Sequence, residues 1–304
     1  MDPKATYDAI LSEIKKKISG NEETIELMFI SLLANGHALL EGVPGVAKTS
    51  MAKALASTIS ADFKRIQSTP DLEPKDIIGY TYLEGSELKI AKGPVFTNIL
   101  LVDELNRMQP KTMSGFLETL EERQVTIGNE TLKLPKPFVA FATQNPLFIE
   151  GTVPIPKVLA DRFLLRIEVG YVSQEEEKQM LRLKEKGEAA EYQIKQVVGI
   201  NDILEMQSMV NTVSMQDDVA DFITKLVGAT RTDIHVVMGA SPRAEIAFMQ
   251  CGKARALIHG KKEVEVEDIK ALAKPVLSHR IVVRATGGIG VKGVIDGLIA
   301  TLSH

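Results

Sequence analysis

The stretch Gly42, Val43, Pro44, Gly45, Val46, Ala47, Lys48, Thr49, followed by Ser50, decides the fold. It fits the pattern G-x-x-x-x-G-K-[ST] except that Ala47 stands where the last glycine is expected. Just upstream, the apolar run from His37 to Glu41 reads as a buried strand; downstream, Ser50 to Ile59 reads as a helix. Strand, loop and helix in that order are the setting in which such a loop grips phosphate. Its backbone N–H groups turn inward, and the N-terminus of the following helix adds a partial positive charge. Lys48 is then placed to reach the β- and γ-phosphates of a nucleotide, and Thr49 to hold Mg²⁺. Ala47 is expected to keep a negative φ, because a Cβ disfavours the left-handed region.

Ile99 to Asp103 is an apolar strand ending in two acids, Asp103 and Glu104. Asp103 at the strand tip suits Mg²⁺ held through its water shell, because Mg²⁺ dehydrates reluctantly. Glu104 is suited to orient and polarise an attacking water. A further strand, Val139 to Thr143, ends near Gln144 and Asn145. If it lies beside the acidic strand, the Asn145 amide reaches the γ-phosphate, where it both donates and accepts. The other reading is that Asn145-Pro146 opens a turn. Arg162 precedes the run Phe163 to Val169, and Arg243 follows Pro242 at a helix start. An arginine that reaches a γ-phosphate stabilises transition-state charge; for each of these two the alternative is a surface ion pair.

Working outward, Phe63 to Ile66 completes a set of five short strand candidates, separated by helical stretches such as Lys111 to Arg123. Alternating strands and helices predict an α/β fold on a parallel sheet. The pattern changes near Gly170. From Gln174 onward only helical periodicity is visible, in Gln174 to Lys186, Asp218 to Thr230, Ala244 to Ile258 and Glu267 to Ala273. The expected organisation is therefore residues 1–172 as a nucleotide-binding unit and residues 173–304 as a helical one. Gly287 to Gly290 is glycine-rich but lacks the lysine and hydroxyl of a phosphate loop, and reads as a plain loop. Two segments read as hairpins: Tyr80 to Pro94, and Val125 to Pro137 around Gly128-Asn129.

The chain has 304 residues, 44% of them hydrophobic and 25% charged, enough to bury a core without crosslinks. A single cysteine, Cys251, excludes an internal disulfide and reads as a buried apolar residue, in keeping with a reducing compartment. No apolar run approaches a membrane span and no leader is visible, so the expected location is cytoplasmic. A net charge of −4 argues against a protein built to grip duplex DNA. His37, His235, His259, His279 and His304 are scattered without ligand spacing, so no zinc site is expected. His279-Arg280 reads as part of a subunit interface or of the surface of the helical unit.

Taken together these residues resemble the AAA+ ATPases, and within them the MoxR family of the helix-2-insert branch. The resemblance is carried by Leu40 to Thr49, Gly93 to Asn98, Leu101 to Arg107, Leu120 to Thr126, Ala142 to Pro146 and Gly239 to Ala244. MoxR loops commonly carry alanine at the position of Ala47. The family implies a five-stranded parallel αβα domain followed by an all-α lid, with ATP and Mg²⁺ as ligands. It implies Lys48 and Thr49 as the first phosphate motif, Asp103 and Glu104 as the second, and Asn145 as the polar sensor. Arg162 would enter a neighbouring subunit's site, and Arg243 would couple nucleotide state to the lid. Ile18, Gly20 and Asn21 would line the adenine pocket. The family works as hexameric rings, with hairpins facing the pore or client; the first hairpin would interrupt the helix after strand two. The implied function is a chaperone-like ATPase that remodels or matures protein complexes, with clients bearing von Willebrand factor A domains. A nucleic-acid motor resembling MCM-type helicases is the alternative. A nucleotide switch with little turnover is a third reading, against which Glu104 stands.

Overall fold

The computed structural model describes residues 1–146, 151–185, 192–284 and 289–302. Gly287 and Gly288 of the predicted glycine loop, Lys186 and His304 lie outside the described residues. In chain order the strands of the first part are β1 (Ala38–Glu41), β2 (Phe63–Gln67), β3 (Gly79–Glu84), β4 (Glu87–Lys92), β5 (Ile99–Asp103), β6 (Gln124–Ile127), β7 (Glu130–Lys133), β8 (Val139–Gln144) and β9 (Leu165–Glu168). The five expected from apolar runs form one parallel sheet in the order β2-β5-β8-β1-β9. Ala38 pairs with both Phe141 and Leu165, and Ile99 with both Phe63 and Val139, so the strands end together at one edge. That edge carries the phosphate loop, the two acids and Asn145.

Burial on both faces explains why the inner strands β1, β5 and β8 are mainly apolar, whereas the edge strand β2 is not. Alternate side chains point to opposite sides: Ala38, Leu40, Leu101 and Phe141 join one core, while Leu39, Leu100, Val102 and Ala140 join the other. The helices are α1 (Pro3–Lys15), α2 (Glu22–Leu33), α3 (Lys48–Thr58), α4 (Pro74–Ile78), α5 (Pro110–Glu122), α6 (Lys157–Ala160), α7 (Gln174–Glu185), α8 (Ile200–Val210), α9 (Asp217–Thr232), α10 (Pro242–Ile258), α11 (Val266–Leu277) and α12 (Val291–Leu302). α1 begins on an Asp2 cap that accepts from Lys4 and Ala5 N–H, with Pro3 at its first turn. α5 likewise opens on Pro110 and buries Met113, Phe116 and Leu120. Each such side chain contributes roughly 1.5–3 kcal/mol when taken from water.

Near the expected boundary, β9 ends at Glu168 and α7 starts at Gln174. The packing, however, is continuous across that point. One core takes in Tyr7, Ile14, Phe29 and Leu55 together with Met206, Phe248, Leu272 and Ile295. The later part is also not purely helical. β10 (Ser214–Met215) pairs with β12 (Glu263–Val264), and β11 (Val236–Met238) with β13 (Val282–Val283). Strands of two or three residues are too short to leave a period-two signature in the sequence.

Both hairpins form, β3 with β4 and β6 with β7. The first does not interrupt a helix. α4 stops at Ile78, and after β4 the chain runs through residues 93–98 into β5 with no helix resuming. Glycine dictates this crossing. Gly79 has φ +109, and a Cβ there would lie 2.2 Å from the Ala91 carbonyl oxygen; a Cβ on Gly93 would lie 2.2 Å from that of Ile77.

Candidate nucleotide site

The loop between β1 and α3 turns on Gly45 and Ala47, with φ of +92° and +60°. The expectation of a negative φ at Ala47 is therefore wrong. Two left-handed residues flank Val46, and alternating handedness turns successive N–H groups toward one side, the concave arrangement that binds anions. Ala47 immediately precedes Lys48, the first residue of α3, so the helix N-terminus faces the same space. The left-handed alanine costs about 1–2 kcal/mol. Gly42 is fixed for a different reason: a Cβ there would lie 2.4 Å from the Val169 carbonyl oxygen. Lys48 donates from Nζ to the carbonyls of Gly42 (2.6 Å) and Val43 (3.0 Å). Burial pushes its pKa down, while Asp103 and Glu104 act the other way.

Opposite the loop, Asp103 is buried at the end of β5. Its Oδ2 accepts from Thr49 Oγ1 at 3.4 Å and from Arg65 Nε at 2.5 Å, and its Oδ1 accepts from Thr143 Oγ1 at 3.1 Å. Glu104 follows in a left-handed conformation, φ +54°, and its N–H donates to the same Thr143 oxygen at 2.9 Å. The Glu104 carboxylate accepts from Gln67 Nε2 (3.2 Å) and Arg107 Nη1 (2.9 Å). Arg65 Nη2 in turn donates to Gln67 Oε1 at 2.7 Å. Asn145, buried at the end of β8, lines the same cleft, whose volume is about 360 Å³. Lys48, Thr49, Ser50, Asp103, Glu104 and Asn145 thus line one cleft, with loop residues Gly42, Pro44, Gly45, Val46 and Ala47. Thr49 Oγ1 and Asp103 Oδ2 form a small all-oxygen donor pair, which fits an ion that keeps most of its waters.

Arg65, Gln67 and Thr143 were missed. Arg65 and Gln67 alternate on β2 and share a face; their signal was the one strand candidate that is not mainly apolar.

Arg162 and Arg243 do not line this cleft. They meet at a second one, of about 310 Å³, lined also by Lys157, Val158, Asp161, Met238, His279 and Arg280. Both arginines pair with Glu121 Oε1, Arg243 Nη2 at 3.1 Å. Desolvation lowers the Arg162 pKa, and the neighbouring Arg243 lowers it further. His279 and Arg280 do not lie on an exposed surface, although both border the second cleft. Both are buried, because they tie α11 to the chain entering β9. His279 Nε2 donates to the Phe163 carbonyl (2.8 Å), and Arg280 donates to those of Phe163 (2.9 Å) and Leu164 (3.1 Å) and to Asp161 Oδ1 (3.1 Å). Ile18, Gly20 and Asn21 are not among the lining residues of the nucleotide cleft. Gly20 packs beside Val172 and Glu176, and Ser19 Oγ donates to Gln179 at 3.1 Å. Val43, with Gly42, borders a third cleft with Val169, Gly170 and the 79% exposed Tyr171. Cys251 is buried and burial pushes its thiol pKa up, so it is no nucleophile.

Known proteins match this arrangement. Residues 37–165 match the model of the ATPase family associated with various cellular activities (AAA), and residues 228–289 the AAA lid domain. Chaperone MoxR1 of Mycobacterium tuberculosis is 39% identical over 288 residues, covering 91% of this chain and 76% of that protein. The uncharacterized protein YeaC of Bacillus subtilis is 42% identical over 273 residues, covering 89% and 85%. A solved structure from Cytophaga hutchinsonii, described as that of a candidate ATPase, superposes with a TM-score of 0.91 at 36% identity, covering 98% and 94%. Sheet order, phosphate loop and paired acids define a P-loop ATPase of the AAA class with a helical lid. Within that class, the chain belongs to the MoxR family of AAA+ ATPases.

Proposed function

We propose that this ATPase hydrolyses ATP at the junction between copies of the chain. The observation that carries this reading is the separation of the two clefts: Lys48, Asp103 and Glu104 line one, Arg162 and Arg243 the other, and no lining residue is shared. A nucleotide on one copy would then meet the arginines of the next. Asn145 and Lys48 hold the terminal phosphate, and Glu104 takes the proton of the attacking water. Thr49 and Asp103 would hold Mg²⁺, which would supply positive charge against the negative charge that develops on the phosphate. The adenine side lies toward Ile18, Gly20 and Asn21 or toward Tyr171, both next to the start of α7.

The test mixes two variants, each with strongly reduced hydrolysis. Arg162→Ala keeps its own phosphate cleft, and Glu104→Gln keeps its own arginines. Mixed, they should regain hydrolysis at junctions that pair an intact cleft with intact arginines; no regain would sink the reading.

The assembly is proposed to be a hexameric ring in the cytoplasm, acting on protein clients in a chaperone-like way to remodel or mature complexes. Support comes from the family and from the relative named a chaperone. Clients with von Willebrand factor A domains are the favoured class. Capture on Glu104→Gln in ATP should recover such a protein. Strong stimulation of hydrolysis by DNA would favour the nucleic-acid alternative instead.

A further inference from the structure

We infer that Glu121 is a positioning residue for hydrolysis, the carboxylate that holds Arg162 and Arg243 side by side so that both present their free N–H groups to one anion. This rests on the reading that these arginines serve a neighbouring copy's nucleotide.

Two guanidinium groups repel at contact distance, and burial raises the cost for Arg162, whose side chain is 19% exposed. Something between them must offset that repulsion. Glu121 Oε1 accepts a hydrogen bond from Arg243 Nη2 at 3.1 Å and is ion-paired with Arg162 Nη1, and its side chain, 45% exposed, sits at the last turn of α5. The other nearby carboxylate, Asp161, is already engaged. It accepts from Arg280 Nε at 3.1 Å and Ser241 Oγ at 3.2 Å, and stands 3.9 Å from Arg243 Nε. Each arginine carries five N–H donors in a rigid fork, so a bond to Glu121 fixes its plane and leaves the other donors free. Arg162, Arg243, Arg280 and Lys157 outnumber Glu121 and Asp161 along this cleft. The excess of positive charge leaves room for an anion brought by another molecule. Glu121 therefore acts through the arginines and touches no phosphate itself.

Pre-organisation of this kind belongs to the transition state, so its loss is read in kcat and not in nucleotide binding. Glu121→Gln keeps the shape and removes the charge. It should lower kcat by about tenfold and leave the KM for MgATP within about twofold. Glu121→Asp should recover part of the rate. In an Arg162→Ala background, Glu121→Gln should add little further loss, because the two act as one unit. An unchanged or faster Glu121→Gln enzyme, a change mainly in KM, or an additive double loss would overturn the proposal. The Arg162→Ala and Glu104→Gln mixture separates the two ideas. If mixing restores activity and Glu121→Gln is silent, only the role of Glu121 fails; if mixing fails, the junction reading fails and takes Glu121 with it. A thermal melt of each variant reports whether the fold is intact.

Discussion

The Thr143 hydroxyl on β8 accepts the backbone N–H of Glu104, just past the end of β5, at 2.9 Å, and donates to Asp103 at 3.1 Å. One hydroxyl thus fixes both acids across neighbouring strands. Glu104 needs that hold because its φ of +54° is unfavourable for a residue with a Cβ. Thr143→Val preserves shape and removes the hydroxyl. Turnover should fall roughly tenfold with nucleotide affinity nearly unchanged. Steady-state kinetics beside nucleotide titration checks this, and a purely KM effect would argue against it.

Glu104→Gln retains the bulk and hydrogen bonding of the side chain but not its basicity. Nucleotide binding should persist while hydrolysis drops by at least about a hundredfold. Hydrolysis at the parent rate would remove Glu104 from its proposed role.

Arg65 occupies Asp103 Oδ2 from a side chain that is half exposed, so the pair is worth about 1 kcal/mol at most. Arg65→Gln frees that oxygen for a cation. The Mg²⁺ concentration needed for half-maximal activity should fall by roughly two- to fivefold, the equivalent of that energy. A rise would show that Arg65 assists the ion instead of competing with it.

Ala47 predicts a stability gain. Glycine accepts φ +60° without a Cβ clash, at some cost in unfolded-chain entropy. Ala47→Gly should stabilise the apo chain by about 0.5–1 kcal/mol in urea unfolding. A loss of stability would mean that the alanine methyl packs favourably enough to outweigh the strain.

The fifth consequence concerns acid. His37 is buried, its Nδ1 accepting from Ala140 N–H (2.9 Å) and its Nε2 donating to the Leu120 carbonyl (2.8 Å). Burial, then the nearby Arg123, lowers its pKa from 6.5 to about 3. Between those two values the unfolded chain binds one proton more than the folded one. Stability is therefore complete above about pH 6.5 and declines by about 1.4 kcal/mol per pH unit on acidification, levelling near pH 3. His279, also lowered by burial, acts in the same direction. His37→Gln should reduce the slope of stability against pH by one proton's worth; an identical slope would exclude the assignment.

What the sequence revealed depended on how local the signal was. Strands such as Ile99–Asp103 were legible because burial on both faces demands continuous apolar residues. Lys48, Thr49, Asp103 and Glu104 were legible because their chemistry repeats at fixed positions after strands. Arg65 and Gln67 were not, since β2 is an edge strand and polar residues there read as solvent-facing. Thr143 looked like one more β-branched strand residue until β5 came alongside. The meeting of Glu121 with Arg162 and Arg243 brings together distant segments, and no spacing rule encodes it. The left-handed Ala47 ran against propensity, as backbone at a functional turn often does.

The bonds around Arg280 bear on how the molecule can move. Its guanidinium is buried and ties α11 to the Phe163 and Leu164 carbonyls and to Asp161, beside Arg162. Opening a hinge between the sheet and the later helices would strand a buried charge, at a cost of several kcal/mol. In the proposed assembly the soft degree of freedom would then be the joint between copies, and work done by the nucleotide would be delivered as rigid rotation of whole subunits against one another.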